Sequence, residues 1–223
     1  MELIASGRDA TVYAYAAGLV LRRYDDGRPA GREADLLREL RALGYPVPAV
    51  QSCDGPDLIM ERISGPTLAG ALTGGEVEIA EGAAILAELH DRLHGLPWPG
   101  TEPLLHLDLH PENVILGPGG PTVIDWSNAR PGLAGLDAAL TALIIAQLIV
   151  TPGMLGVPAA LEADLRVAMT EFVHEFARRV STAYVSFLDA AAAYRLANTH
   201  TTAEERRMLP DAVSLAAALG TLR

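Results

Sequence analysis

His106-Leu107-Asp108-Leu109-His110-Pro111-Glu112-Asn113, followed along the chain by Val123-Ile124-Asp125-Trp126, is the stretch on which the reading turns. The chain holds 6 His, 13 Asp and 3 Asn. With those counts, finding His106, Asp108, His110 and Asn113 at these offsets by chance is on the order of 10⁻⁴. The apolar pieces Val114-Ile115-Leu116 and Thr122-Val123-Ile124 flank Gly117-Pro118-Gly119-Gly120, which predicts a hairpin. Asn113 stands in the loop entering it and Asp125 at its end. A side-chain amide and a carboxylate are hard oxygen donors and suit Mg²⁺, which takes one or two carboxylates together with phosphate oxygens. Asp108 stands five residues before Asn113. In phosphoryl transfer an Asp so placed orients the attacking hydroxyl and accepts its proton, while the metal neutralises the phosphates.

Upstream, Ala10 to Ala16 and Leu19 to Tyr24 read as strands separated by Ala17-Gly18, and Asp25-Asp26-Gly27-Arg28-Pro29 as a turn. Ala34, Leu37, Leu40 and Leu43 carry a helical period over 31–43, and Gly44 is a stop signal. Ala49 to Ser52 and Asp57 to Ile63 read as paired strands around Cys53-Asp54-Gly55-Pro56. After Ser64-Gly65-Pro66 the pattern turns helical. Ile79, Ala83, Leu86, Leu89 and Leu93 mark an amphipathic helix over 76–94. Downstream, the apolar run from Ala138 to Val150 reads as a buried core helix, since it falls short of the ~20 residues a membrane span requires. Three or four helices complete the chain.

The 223 residues are half hydrophobic and carry a formal net charge of −11. Mean hydropathy is +0.22 and the pI about 4.9. Such a chain buries a core. Its acidity argues against nucleic acid, which is bound by a basic footprint, and against an anionic membrane surface. A cationic or neutral small molecule suits it better. Cys53 is the single cysteine and reads as a small core residue, with no disulfide and no cysteine zinc site. The N-terminus shows no basic segment followed by an apolar one, so no leader is expected and a cytoplasmic location is the default. All 17 basic residues are arginine.

His106-x-Asp108-x-His110-Pro111-x-Asn113, with Ile124-Asp125-Trp126 and then Gly135-Leu136-Asp137, resembles the aminoglycoside phosphotransferase/choline kinase-like superfamily. The resemblance implies an α+β, protein-kinase-like fold of two lobes. The small β-rich N-lobe, residues 1–62, would bind nucleotide. The larger helical C-lobe, residues 63–223, would be catalytic and hold substrate. Further likenesses follow in the family's order over roughly residues 3–150. Gly7-Arg8-Asp9-Ala10-Thr11-Val12-Tyr13 resembles the strand–loop–strand that covers the nucleotide. Leu19-Val20-Leu21-Arg22 resembles the strand with the phosphate-contacting cation, and Arg32-Glu33 the start of the helix with its partner acid. Ile59-Met60-Glu61-Arg62 resembles the hinge that meets adenine.

The resemblance therefore implies Asp108 as catalytic base and Asn113 and Asp125 as Mg²⁺ ligands. It places Gly7, Arg22, Glu33, Met60 and Glu61 at the nucleotide, which is ATP or GTP. The γ-phosphate would pass to a hydroxyl of a small molecule: an aminoglycoside, a sugar, an amino alcohol or a related metabolite. Two departures stand out. The phosphate loop has Gly7 but not the full glycine series, and the usual Lys is replaced by Arg22, or by Arg23 if the strand slips one residue. Two other readings compete: a nucleotide-binding pseudokinase without catalysis, and a metal-dependent hydrolase built on the same His/Asp cluster.

Other residues read as structural. His106 is expected to brace the loop backbone. Asp137 is expected to bury its carboxylate against that loop or to cap the following helix. His90 and His94 lack the Glu of a zinc-protease motif and are expected to support a helix end. Trp98 and Trp126 read as packing residues.

Overall fold

The computed structural model of the protein describes residues 1–7, 9–154, 157–198 and 201–221, so Arg8, within the segment singled out above, lies outside the described residues. The alternating runs of the N-terminal region form five antiparallel strands: β1 (Leu3–Ser6), β2 (Ala10–Ala16), β3 (Leu19–Tyr24), β4 (Val50–Asp54) and β5 (Asp57–Glu61). Their spatial order is β1-β2-β3-β5-β4. Helix α1 (Gly31–Ala42) buries Glu33, Ala34, Leu37 and Leu40. It stops at Gly44, whose φ of +79° most L side chains avoid.

These elements form one of two compact units, Met1–Thr67 with Asn113–Ser127. The later piece is the hairpin β7 (Val114–Gly117) and β8 (Gly120–Val123), with Val114 opposite Val123. Its attachment explains why it joins residues far upstream. Leu116 N donates to Pro66 O at 2.9 Å, Thr67 bridges to Ile115, and Val123 N donates to Pro46 O at 2.8 Å. Ser64-Gly65-Pro66 thus runs as a partner along the hairpin.

The second unit is Leu68–Glu112 with Asn128–Arg223. It contains α2 (Leu68–Thr73), α3 (Ile79–His94), α4 (Ala134–Val150), α5 (Ala159–Arg179), α6 (Leu188–Ala197) and α7 (Ala203–Thr221). Two-residue strands β6 (Leu104–Leu105) and β9 (Arg130–Pro131) pair across it. Helix α4 is the former apolar run: twelve of its residues are buried, and it packs against α5, α6 and α7. Each fully buried Leu or Ile contributes roughly 2 kcal/mol of transfer free energy, so this helix is the centre of the core. Among the described residues no helix is long and apolar enough to cross a membrane.

The expected α+β class, with a β-rich first part and a helical second, is what the structure shows. Details differ. β1 was not anticipated; it is short, exposed and at a sheet edge. The long helix starts at Ile79 rather than 76, after the separate α2. Cys53 is not a core thiol. It is partly exposed because β4 is the other edge strand.

Candidate active site

The hairpin register sets the first pair of groups. Asn113 closes a turn of 3-10 helix just before β7, and its carbonyl accepts Ile124 N at 3.0 Å. Asp125 is the next residue, so Asn113 and Asp125 lie at the same open end of the hairpin. Asn113 is buried at 9% exposure, whereas the Asp125 side chain is 34% exposed. Asp125 has φ +64°, a left-handed backbone that Asp adopts more readily than most residues. Ser127 Oγ donates to its Oδ1 at 3.1 Å.

Strand β3 delivers the second part. Arg22 points inward at 7% exposure, while Arg23, one residue on, faces outward and pairs with Asp57. Arg22 Nη2 donates to Asp125 Oδ1 at 2.6 Å, and Nε lies 3.3 Å from Glu33 Oε2. Burial pulls the Arg22 guanidinium down, but Asp125 and Glu33 outweigh it and hold it above its ordinary value. It stays a cation. Glu33 is itself fastened on two sides: Tyr24 OH donates to Oε2 at 2.5 Å, and Trp126 N to Oε1 at 3.1 Å. Burial, then Glu33, pushes the Tyr24 phenol up, so it remains a donor. The indole of Trp126 packs edge-on against Tyr45.

Sequence reasoning missed Tyr24 and Ser127. The signal for Tyr24 was its place two residues after Arg22, on the same face of the strand. The remaining candidates of this unit are more loosely defined. Gly7 is exposed in the turn between β1 and β2, its N–H on Ala10 O at 2.9 Å. Met60 is buried opposite Val20. Glu61 uses its amide on Ala49 O, and its carboxylate accepts Ala49 N at 3.1 Å.

In the helical unit, the loop carrying Asp108 follows β6. Leu107 has φ +65°. What holds it there is Asp137, in the first turn of α4 and fully buried. Asp137 Oδ1 accepts Leu107 N at 2.6 Å, and Oδ2 accepts His106 N and His94 Nε2, both at 3.0 Å. Burial pushes the Asp137 carboxyl up, yet the His94 bond and the fields of His90, His94 and His106 bring it down to about 2. His106 Nδ1 accepts Asp108 N at 3.2 Å. Thus Asp137 and His106 brace the loop as expected from sequence. The Asp108 carboxylate is 29% exposed, 3.7 Å from His110 Nε2.

Asn113 and Asp125 offer hard oxygens at one hairpin end, a donor set that fits Mg²⁺. The partly exposed Asp108 carboxylate can take a proton from an alcohol. A sequence model described as the phosphotransferase enzyme family matches residues 84–172, from within α3 into α5. A search of curated proteins gives no match. Several solved structures share the fold. An ADP-bound aminoglycoside phosphotransferase APH(2'')-Ib aligns with TM-score 0.58 at 15% identity, over 98% of this chain and 93% of that one. A Plasmodium vivax ethanolamine kinase gives 0.57 at 12%, covering 97% and 81%. The amicoumacin kinase hAmiN, in complex with AMP-PNP, Ca²⁺ and Ami, gives 0.55 at 12%, covering 97% and 88%. Likeness at such identities speaks to fold.

Proposed function

For a chain with the protein-kinase-like fold of the aminoglycoside phosphotransferase/choline kinase-like superfamily, we propose small-molecule phosphotransfer. The γ-phosphate of ATP passes to a hydroxyl of a small acceptor, in the cytoplasm. The observation that carries the reading is the Arg22–Glu33–Asp125 network at the hairpin end where Asn113 also lies. Asn113 and Asp125 hold Mg²⁺, which when bound neutralises charge on the phosphates. Arg22 lies beside the non-transferred phosphates, oriented by Glu33. Gly7 lies over the nucleotide, and Met60 and Glu61 flank its base. Asp108 accepts a hydrogen bond from the acceptor hydroxyl and takes its proton late, since a carboxylate of ordinary pKa is a weak base toward an alcohol. Most of the acceleration is positioning and electrostatics. The ADP, AMP-PNP and Ca²⁺ bound to proteins of this fold support nucleotide and divalent-metal use. The net charge of −11 favours a cationic acceptor such as an amino alcohol or aminoglycoside.

A second reading, nucleotide binding without transfer, draws on the 2.6 Å bond by which Arg22 engages the proposed metal ligand Asp125. One experiment separates the two. The chain and Asp108→Asn are incubated with Mg-ATP or Mg-GTP and pooled hydroxylated amines, sugars and aminoglycosides, and phosphate gain is read by mass. Transfer by the wild type, falling about a thousandfold or more in Asp108→Asn, is the expected result. Thermal stabilisation by Mg-ATP with no transfer to any acceptor selects the second reading.

A further inference from the structure

Between α3 and α4 lies a buried polar cluster in which Asp137 and His94 brace the Asp108 loop, while His90 and Thr141 are left without a task by the phosphotransfer reading. His90 and His94 stand four apart on α3; Asp137 and Thr141 stand four apart on α4. That spacing puts each pair on one helix face. His90, Asp137 and Thr141 have no exposed surface. A buried hydroxyl has one proton to give. Thr141 Oγ1 lies 2.6 Å from Leu109 O and 3.3 Å from Asp137 O, so the proton goes to Leu109. Thr141 Oγ1 then accepts from His90 Nε2, at 2.9 Å. His90 therefore carries its proton on Nε2. Burial pulls the ring down to about 4, so it is neutral near pH 7. Its Nδ1 is a bare lone pair with no hydrogen-bond partner, 3.8 Å from Asp137 Oδ2.

Leu107 N is held by Asp137 and Leu109 O by Thr141, one helical turn apart on α4. Asp108 is the residue between them, and its own N–H is on His106. The 106–107 and 109–110 peptide units, one peptide out from Asp108 on either side, are thus fixed from a single helix, and α3 fixes the side chains that do it. We propose that Thr141 and His90 are positioning residues for Asp108: His90 orients the Thr141 hydroxyl, and Thr141 holds the carbonyl of Leu109, the residue after Asp108. The proposal rests on the reading of Asp108 as the base. Ligand atoms of His90, His94 and Asp137 lie within 4.8 Å of one another, close enough for a metal ion. However, both Asp137 oxygens already accept hydrogen bonds, and a cation would have to replace the bond between His94 Nε2 and Asp137 Oδ2. We therefore assign the cluster to hydrogen bonding rather than metal.

The test uses the full chain with Thr141→Val and Thr141→Ser. Valine keeps the shape and removes the hydroxyl, leaving Leu109 O and His90 Nε2–H without each other's link. For slow Mg-ATP hydrolysis, kcat falls about tenfold or more in Thr141→Val, while KM for Mg-ATP stays within about twofold and Thr141→Ser recovers the rate. Amide exchange at Leu107 and Asp108 speeds up by about tenfold in Thr141→Val, with α7 amides unchanged. Nitrogen-15 spectra of the wild type show the neutral Nε2–H tautomer for His90. Unchanged exchange and kcat in Thr141→Val, an Nδ1–H tautomer, or stoichiometric Zn²⁺ uptake by the wild type but not by His90→Gln overturns the proposal. A wild type that neither hydrolyses ATP nor transfers its phosphate fails the phosphotransfer reading alone; exchange and tautomer still decide the clamp.

Discussion

At the scale of single residues, the lysine-free composition has its sharpest consequence at Arg22. A lysine would offer one ammonium; the planar guanidinium lies against Glu33 and Asp125 together. Glu33 must then be held still, and Tyr24 does this with a 2.5 Å hydrogen bond in a buried setting. A bond to a charged partner contributes about 1.5–3 kcal/mol. Tyr24→Phe leaves the ring in place, removes one donor from Glu33, and should lower stability by about 2 kcal/mol. Because Glu33 also holds Trp126 N, beside Asp125, the same variant should weaken Mg-ADP binding several-fold. Urea unfolding and calorimetric titration measure the two effects. Intact stability with intact Mg-ADP affinity would remove Tyr24 from the site.

At the scale of elements, the hairpin β7–β8 depends on the segment before α2. An ideal Cβ on Gly65 would stand 2.1 Å from Leu116 O and 2.8 Å from its carbonyl carbon, with φ at +149°. Backbone cannot yield as a side chain does, so Gly65→Ala should cost about 3 kcal/mol or more. The strain falls on Leu116, in the strand that follows Asn113, so limited proteolysis should open 113–127 first. A variant as resistant as the wild type would show that the hairpin holds its own register. The hairpin, β2, β3, α1 and α4 were legible in the sequence because alternation, turn residues and helical period all agreed. β1 and the β6–β9 pair were not, since two to four residues carry no period and form only when tertiary neighbours supply partners. Among the candidate site residues, Asp108, Asn113 and Asp125 stand out by their spacing, and the bracing Asp137 by the resemblance. Thr141 and Tyr24 do not, because a lone Thr in an apolar helix or a Tyr in a strand looks like packing until its partner is known.

At the scale of the whole molecule, two pH effects oppose each other. As pH falls from 7 toward the pI of about 4.9, the net charge of −11 shrinks and general self-repulsion eases, which favours the folded chain. His90 acts the other way. Burial holds its folded pKa near 4 against an ordinary 6.5, with Asp137 and Asp91 raising it and His94 and His106 lowering it. A base with a depressed folded pKa leaves the unfolded chain binding more protons, so its contribution is full above pH 6.5 and is lost as pH falls toward 4. The difference amounts to about 3 kcal/mol. Repulsion among exposed charges is screened over about 8 Å at physiological salt, whereas a fully buried ring is not. His90 should therefore win, and stability should fall between pH 6.5 and 4 although net charge is vanishing. Asp137, whose folded pKa is near 2 against 3.8, adds its loss only below about pH 4. Urea midpoints across pH 4–7.5 for the wild type and His90→Gln isolate the effect: the wild type should decline through this window and the variant stay nearly level. Parallel curves would mean that the ring takes up its proton without breaking the fold, and that the tight fit around His90 is looser in solution than its geometry implies.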